Sequence, residues 1–170
     1  ILLPKSPLQA IASLAATKAG AAFLPLDLEY PPEMLSAIAR RAELSLIVTE
    51  PALTEQVTSC GVPCLTVEEG WLDAVPPQAT VFQGYQWQPE DVLVIINTSG
   101  TTGEPKSAAI PSAGVVNCLL ESQKRFSLTD TDRCIAITNY CHDMALFDLY
   151  GMIACGGSVV YPDGDKGKEP

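Results

Sequence analysis

The stretch that decides the fold runs from Asp91 to Lys106 and reads DVLVIINTSGTTGEPK. Its first half, Val92 to Ile96, is a continuous apolar run, the pattern of a strand covered on both faces. Its second half is abruptly polar: Thr98, Ser99, Gly100, Thr101, Thr102, Gly103, Glu104, Pro105 and Lys106. Gly100 and Gly103 let the backbone turn tightly and approach a ligand. The Thr and Ser hydroxyls, with successive backbone amides, can surround phosphate oxygens, and Lys106 adds a positive charge. A phosphate-binding loop following a buried strand is the chemical reading, and a Ser/Thr/Gly surface turn is its bland alternative. The pattern is not GxxxxGK(S/T), because Glu104-Pro105 separates Gly103 from Lys106, so a P-loop nucleotidase is disfavoured.

Upstream of this stretch, Ile1-Leu2-Leu3 reads as the end of a strand that begins before residue 1. Ser6 and Pro7 then predict a helix start as N-cap and first-turn proline. Leu8, Ile11, Ala12 and Ala15 recur at helical spacing and predict the buried face, and Gly20 is placed for a left-handed C-cap. Phe23 to Leu26 is a short apolar run. Pro31-Pro32-Glu33 opens a second helix with Leu35, Ile38 and Ala42 on one side, and Leu46 to Thr49 reads as a strand. Residues 50–90 are proline-bearing and weakly periodic, with one short apolar stretch from Val62 to Val67, and are expected to be a loop-rich connection.

Downstream, a helix is expected over 113–126, a strand over 134–138, a helix over 143–154 and a strand over 158–161, followed by a charged, frayed tail from Asp163 to Pro170. Strands alternating with helices imply right-handed crossovers and parallel pairing. The predicted fold class is therefore α/β, an open, mainly parallel sheet layered with helices, with residues 1–170 forming one domain core.

Ten Lys plus Arg against twenty Asp plus Glu give a formal net charge of -10, which argues against nucleic acid as a partner. No apolar run approaches the ~20 residues that span a bilayer, so a cytoplasmic protein without membrane contact is expected. The six cysteines are scattered through apolar segments and are expected to be reduced and packed in the core. Cys60 and Cys64 would make half of a metal site, but no second Cys or His pair follows at ligand spacing, and no protein-bound metal is predicted. His142 is the only histidine, and no GxSxG elbow accompanies it, so a His-based hydrolytic triad is not expected.

The nine residues from Thr98 to Lys106 resemble the phosphate-binding signature of the adenylate-forming (AMP-binding) superfamily, usually (Y/F)TSG(T/S)TGxPKG. Asn97 stands in place of the aromatic residue and Ser107 in place of the final glycine. Two further segments resemble the branch formed by nonribosomal peptide synthetase adenylation domains. Residues 17–27, TKAGAAFLPLD, are similar to LKAGxAYVPID, and residues 142–151, HDMALFDLYG, are similar to FDxSVWExFG. Phe147-Asp148 also spells FD, but that register would displace Tyr150-Gly151 from the aromatic-glycine ending. His142-Asp143 variants resemble those of modules that also form heterocycles.

The resemblance implies the large N-terminal subdomain of an adenylate-forming enzyme, truncated at both ends. Thr98, Ser99, Gly100, Thr101, Thr102, Gly103 and Lys106 would hold the β and γ phosphates of ATP. Asp143 would bind the α-ammonium of an amino acid, Met144 and Phe147 would line its side-chain pocket, and His142 would shape the entrance. The other reading of Asp143 is an N-capping aspartate, with Met144, Phe147 and Tyr150 as helix core. ATP with Mg2+ would yield an aminoacyl adenylate, which is then loaded onto the phosphopantetheine of a peptidyl carrier domain within the rest of the synthetase. The family's adenine-binding segment, ribose-binding aspartate, hinge and catalytic lysine match nothing within residues 1–170. No catalytic residue is therefore assigned, and the chain alone is expected to be inactive. An acyl- or aryl-acid ligase of the same superfamily and a non-catalytic interaction or structural fragment are the alternatives.

Overall fold

The computed structural model describes residues 1–68, 70–71, 84–98 and 106–162, with the side chain of Thr98 also outside the description. The chain divides into two compact units, Ile1–Gln86 and Trp87–Pro170.

In the first unit, helix α1 spans Pro7–Lys18. It begins after an extended Ser6, with Pro7 in the first turn, but Ser6 makes no side-chain capping bond. Its end is a left-handed glycine cap closed by two hydrogen bonds: Gly20 has φ +78°, its N–H reaches the Thr17 carbonyl at 3.1 Å, and the Ala21 N–H reaches the Ala16 carbonyl at 2.9 Å. The buried face differs from the expected one. Gln9 and Ser13 are buried, whereas Leu8, Ile11 and Ala12 are only half-buried and Ala15 is exposed. Hydrogen bonds explain the inversion. Gln9 Nε2 donates to the Leu3 carbonyl at 2.7 Å and Ser13 Oγ to the Gln9 carbonyl at 2.7 Å, so both polar side chains are buried with partners.

Helix α2 spans Pro32–Arg41 and buries Leu35, Ile38 and Ala39; Ala42, expected on that face, is the half-buried C-cap. Strand β1, Ile47–Thr49, pairs in parallel with β2, Cys64–Thr66. Leu2 bridges Thr49 in parallel beside them, and the Thr49 hydroxyl donates to the Leu2 carbonyl at 2.7 Å. Between β1 and β2 lie a 3-10 turn at Pro51–Leu53, the short helix α3 at Thr54–Val57 and a second 3-10 turn at Thr58–Cys60. The first third of the expected loop-rich stretch is thus a compact crossover.

In the second unit, strand β3 is Val92–Thr98 and strand β4 is Lys106–Pro111. They pair antiparallel, the one antiparallel pair among the described strands, beside the parallel pairs that a mainly parallel sheet leads one to expect. Helix α4, Ser112–Phe126, follows at once and ends on Ser127 at φ 53°. Strand β5, Arg133–Ile135, pairs in parallel with β6, Ser158–Val160. Their crossover carries a π-helical turn, Phe147–Gly151, that runs into helix α5, Met152–Ala154. The expected helix over 143–154 is therefore shorter and wound more widely at its centre. No described helix is long and apolar enough to cross a membrane.

All six cysteines are free, but only Cys60 and Cys141 are buried; Cys64 and Cys118 are exposed, contrary to the expectation of core packing. The tail from Asp163 lies outside the described residues.

Candidate nucleotide and substrate site

Strand β3 is held by its apolar run: Val94 is fully buried, and Leu93 and Ile96 nearly so. This anchoring fixes where the polar segment begins. Thr98 and Lys106, the two ends of TSGTTGEPK, are register partners on the last rung of the β3–β4 ladder. Ser99, Gly100, Thr101, Thr102 and Gly103 lie between them, outside the described residues. Lys106 is exposed at the first position of β4.

One rung further in, Asn97 pairs with Ser107, and Ser107 Oγ donates to Asn97 Oδ1 at 2.8 Å. These are the two positions at which the signature departs from its usual form. Their pairing follows from strand register, which the linear sequence leaves implicit until β4 is known.

His142, Asp143 and Met144 form an exposed turn ahead of the helical crossover. Asp143 Oδ1 accepts the backbone N–H of Met144 at 2.9 Å. A helix-capping aspartate would instead bond an amide two or three residues on. The turn is wound by its main chain: Ala145 N–H reaches the His142 carbonyl, Leu146 N–H that of Asp143 and Phe147 N–H that of Met144, each at 3.0 Å. Phe147 is half-buried, its ring edge-on to Phe126 at 6.4 Å between centroids and 66° between planes. A Cβ on Gly151 would come to 3.0 Å from Phe147 Cδ2, so the glycine is what lets this ring lie along the π-turn.

A second carboxylate, absent from the site expected from the sequence, lies in the same crossover. Asp148 is half-buried; its Oδ2 accepts the Thr138 N–H at 3.3 Å and its Oδ1 lies 3.7 Å from Cys134 Sγ. Burial, and then the Asp148 charge, push the Cys134 thiol and the Tyr161 phenol above their ordinary values, and the hydrogen bond to Asp148 adds to the effect at Cys134. The rejected Phe147-Asp148 register was the one signal in the sequence that drew attention to this residue.

A helix-layered α/β core in which a hydroxyl- and glycine-rich segment joins two paired strand ends defines the class: the N-terminal subdomain of adenylate-forming enzymes. A solved nonribosomal peptide synthetase, FmoA3 (S1046A), superposes with a TM-score of 0.80 at 27% identity over 97% of this chain and 17% of its own. The four-domain synthetase holo-AB3403, solved bound to AMP and glycine, gives a TM-score of 0.79 at 28% identity over 94% of this chain and 11% of its own. The chain belongs to the AMP-binding enzyme family, whose model matches residues 1–170. Among curated relatives, pyochelin synthetase PchF of Pseudomonas aeruginosa is 32% identical over the whole chain, which spans 9% of that protein. A dimodular nonribosomal peptide synthase of Bacillus subtilis is 33% identical over the whole chain, which spans 7% of it.

Proposed function

We propose that this chain is part of the amino-acid-activating adenylation domain of a nonribosomal peptide synthetase. The observation that carries the reading is the rung formed by Thr98 and Lys106, which brings both ends of the TSGTTGEPK segment together directly after a buried strand. The peptide synthetases among its relatives support it.

In this reading the hydroxyls and amides of residues 98–103 and the Lys106 ammonium neutralise the β and γ phosphates of ATP. The amino-acid carboxylate then attacks the α phosphorus, forming the acyl–phosphate bond as the bond to pyrophosphate breaks. Catalysis of this kind is positioning and charge stabilisation, and it needs no nucleophilic side chain. A Lys ammonium and several hydroxyls suit an anionic phosphate group; Mg2+ would arrive with those phosphates and add charge neutralisation. Asp143 has one oxygen engaged by the Met144 amide and an exposed carboxylate to offer an α-ammonium. Met144 and Phe147 supply apolar surface for the side chain, and His142 borders the approach. The aminoacyl group passes next to the phosphopantetheine thiol of a peptidyl carrier domain, with release of AMP.

The test is amino-acid-dependent ATP–pyrophosphate exchange by a polypeptide carrying this chain within a complete adenylation domain. Asp143→Ala removes a charge-assisted hydrogen bond and is expected to lower exchange about 10- to 100-fold. Unchanged exchange would remove Asp143 from amine binding, and exchange driven only by acids lacking an amine would point to an acyl- or aryl-acid ligase.

A further inference from the structure

The Asn97–Ser107 pair joins the two strands of the hairpin through side chains as well as through the backbone. A ladder rung needs only backbone hydrogen bonds, yet here the side chains are also joined, Ser107 Oγ to Asn97 Oδ1 at 2.8 Å, one rung before the ends of the phosphate segment. The pair also carries a polar group that the hairpin itself does not satisfy. Asn97 Nδ2 is buried and has no hydrogen-bond partner among the described residues. An unmet buried donor costs stability, and an apolar side chain at position 97 would avoid that cost. A polar group of this kind at the edge of a site points to a role in that site.

We propose that Asn97 and Ser107 are a coupled pair of positioning residues for nucleotide phosphate binding: their side-chain clasp sets the separation and rotation of the two strand ends that carry Thr98 and Lys106. The inference rests on the proposed function above and adds to it two residues with no expected ligand contact. Because each side chain acts only through the other, removing either one opens the clasp. Removing both does no further harm.

The experiment is pyrophosphate exchange by the complete adenylation domain, with the KM for ATP and the KM for the amino acid measured separately and thermal midpoints recorded alongside. Asn97→Leu and Ser107→Ala are each expected to raise the ATP KM about fivefold or more while leaving the amino-acid KM within about twofold. The double variant should match the singles rather than multiply them, as expected of a coupled pair. Ser107→Thr, which keeps the hydroxyl, should stay within about twofold of the parent, and the Asn97→Leu midpoint should hold or rise. An unchanged ATP KM in both single variants, multiplicative effects in the double, or a loss of ATP affinity that only follows a falling midpoint would overturn the proposal. If the parent exchanges with no amino acid, the proposed function fails by itself. The same variants are then read by direct titration with a fluorescent ATP analogue, against the same criteria.

Discussion

The Asp148 carboxylate ties the π-turn of the crossover to the chain leaving β5, through the Thr138 N–H at 3.3 Å. Its other oxygen faces the Cys134 thiol at 3.7 Å, so one half-buried carboxylate links the crossover to the strand end that precedes it. Asp143 and Met144, by contrast, are exposed on the turn just ahead of this anchor.

The anchor predicts an alkaline pH dependence. Cys134 and Tyr161 are neutral when protonated, and burial followed by the Asp148 charge raises both in the folded state. The native chain therefore keeps protons that the unfolded chain has already released. The stabilisation is complete below the ordinary thiol and phenol ranges and is lost as pH rises through the raised values. Urea midpoints should fall from neutral to strongly alkaline pH, and Asp148→Asn should flatten that fall. A midpoint that rises with pH would contradict the assignment.

The same contact predicts thiol selectivity. Cys118 is exposed on α4 while Cys134 is half-buried beside a carboxylate that disfavours its thiolate. Maleimide labelling followed by mass spectrometry should modify Cys118 well before Cys134, and Asp148→Asn should speed Cys134 selectively.

Gly20 is, among the described residues, a backbone position with little room for change. It combines φ +78° with close approach to Tyr85, where an added Cβ would fall inside the ring's van der Waals surface. Gly20→Ala should cost about 2 kcal/mol or more, read as a lowered chemical-denaturation midpoint. Glu43 and Ser127 occupy the same left-handed region, at φ 49° and 53°, without being glycine. Changing either to Gly should gain about 1 kcal/mol.

Gly151→Ala separates stability from function. Alanine gains about 1 kcal/mol of helix propensity, but its Cβ would press on the Phe147 ring at 3.0 Å, with Phe126 edge-on to that ring. The two effects offset, so the thermal midpoint should move little. The ring should shift, and with Phe147 in its proposed place against the substrate side chain, the amino-acid KM in pyrophosphate exchange should change while the ATP KM does not.

Much of the fold was legible because its signals are local. Pro32 at a helix start, Gly20 at a helix end, the run from Val92 to Ile96 and the helix ending at Phe126 each carry their information within a few residues. Strand β4 was not legible, since KSAAIP is short, mostly exposed, built of small residues and ends in proline, so neither alternation nor a continuous apolar run marks it. The face of α1 was misjudged for a different reason. Hydropathy places Leu8 and Ile11 inward, whereas the Leu3 carbonyl draws Gln9 into the core by a hydrogen bond that no periodicity encodes. At the site, Asn97 and Ser107 stood out singly as departures from a signature. Their partnership, like the anchoring by Asp148, exists only once register brings distant positions together.

The local closure of the β3–β4 hairpin bears on the order of folding. Its strands are joined by a short connection, so pairing them costs little chain entropy, and hairpins of this kind form in about 1–10 μs. The parallel pair β5–β6 must instead wait for an intervening crossover to be organised, a pairing of higher contact order and slower formation. The frame around Thr98 and Lys106 is thus expected to arise early and to serve as a nucleus on which the later helical layer condenses.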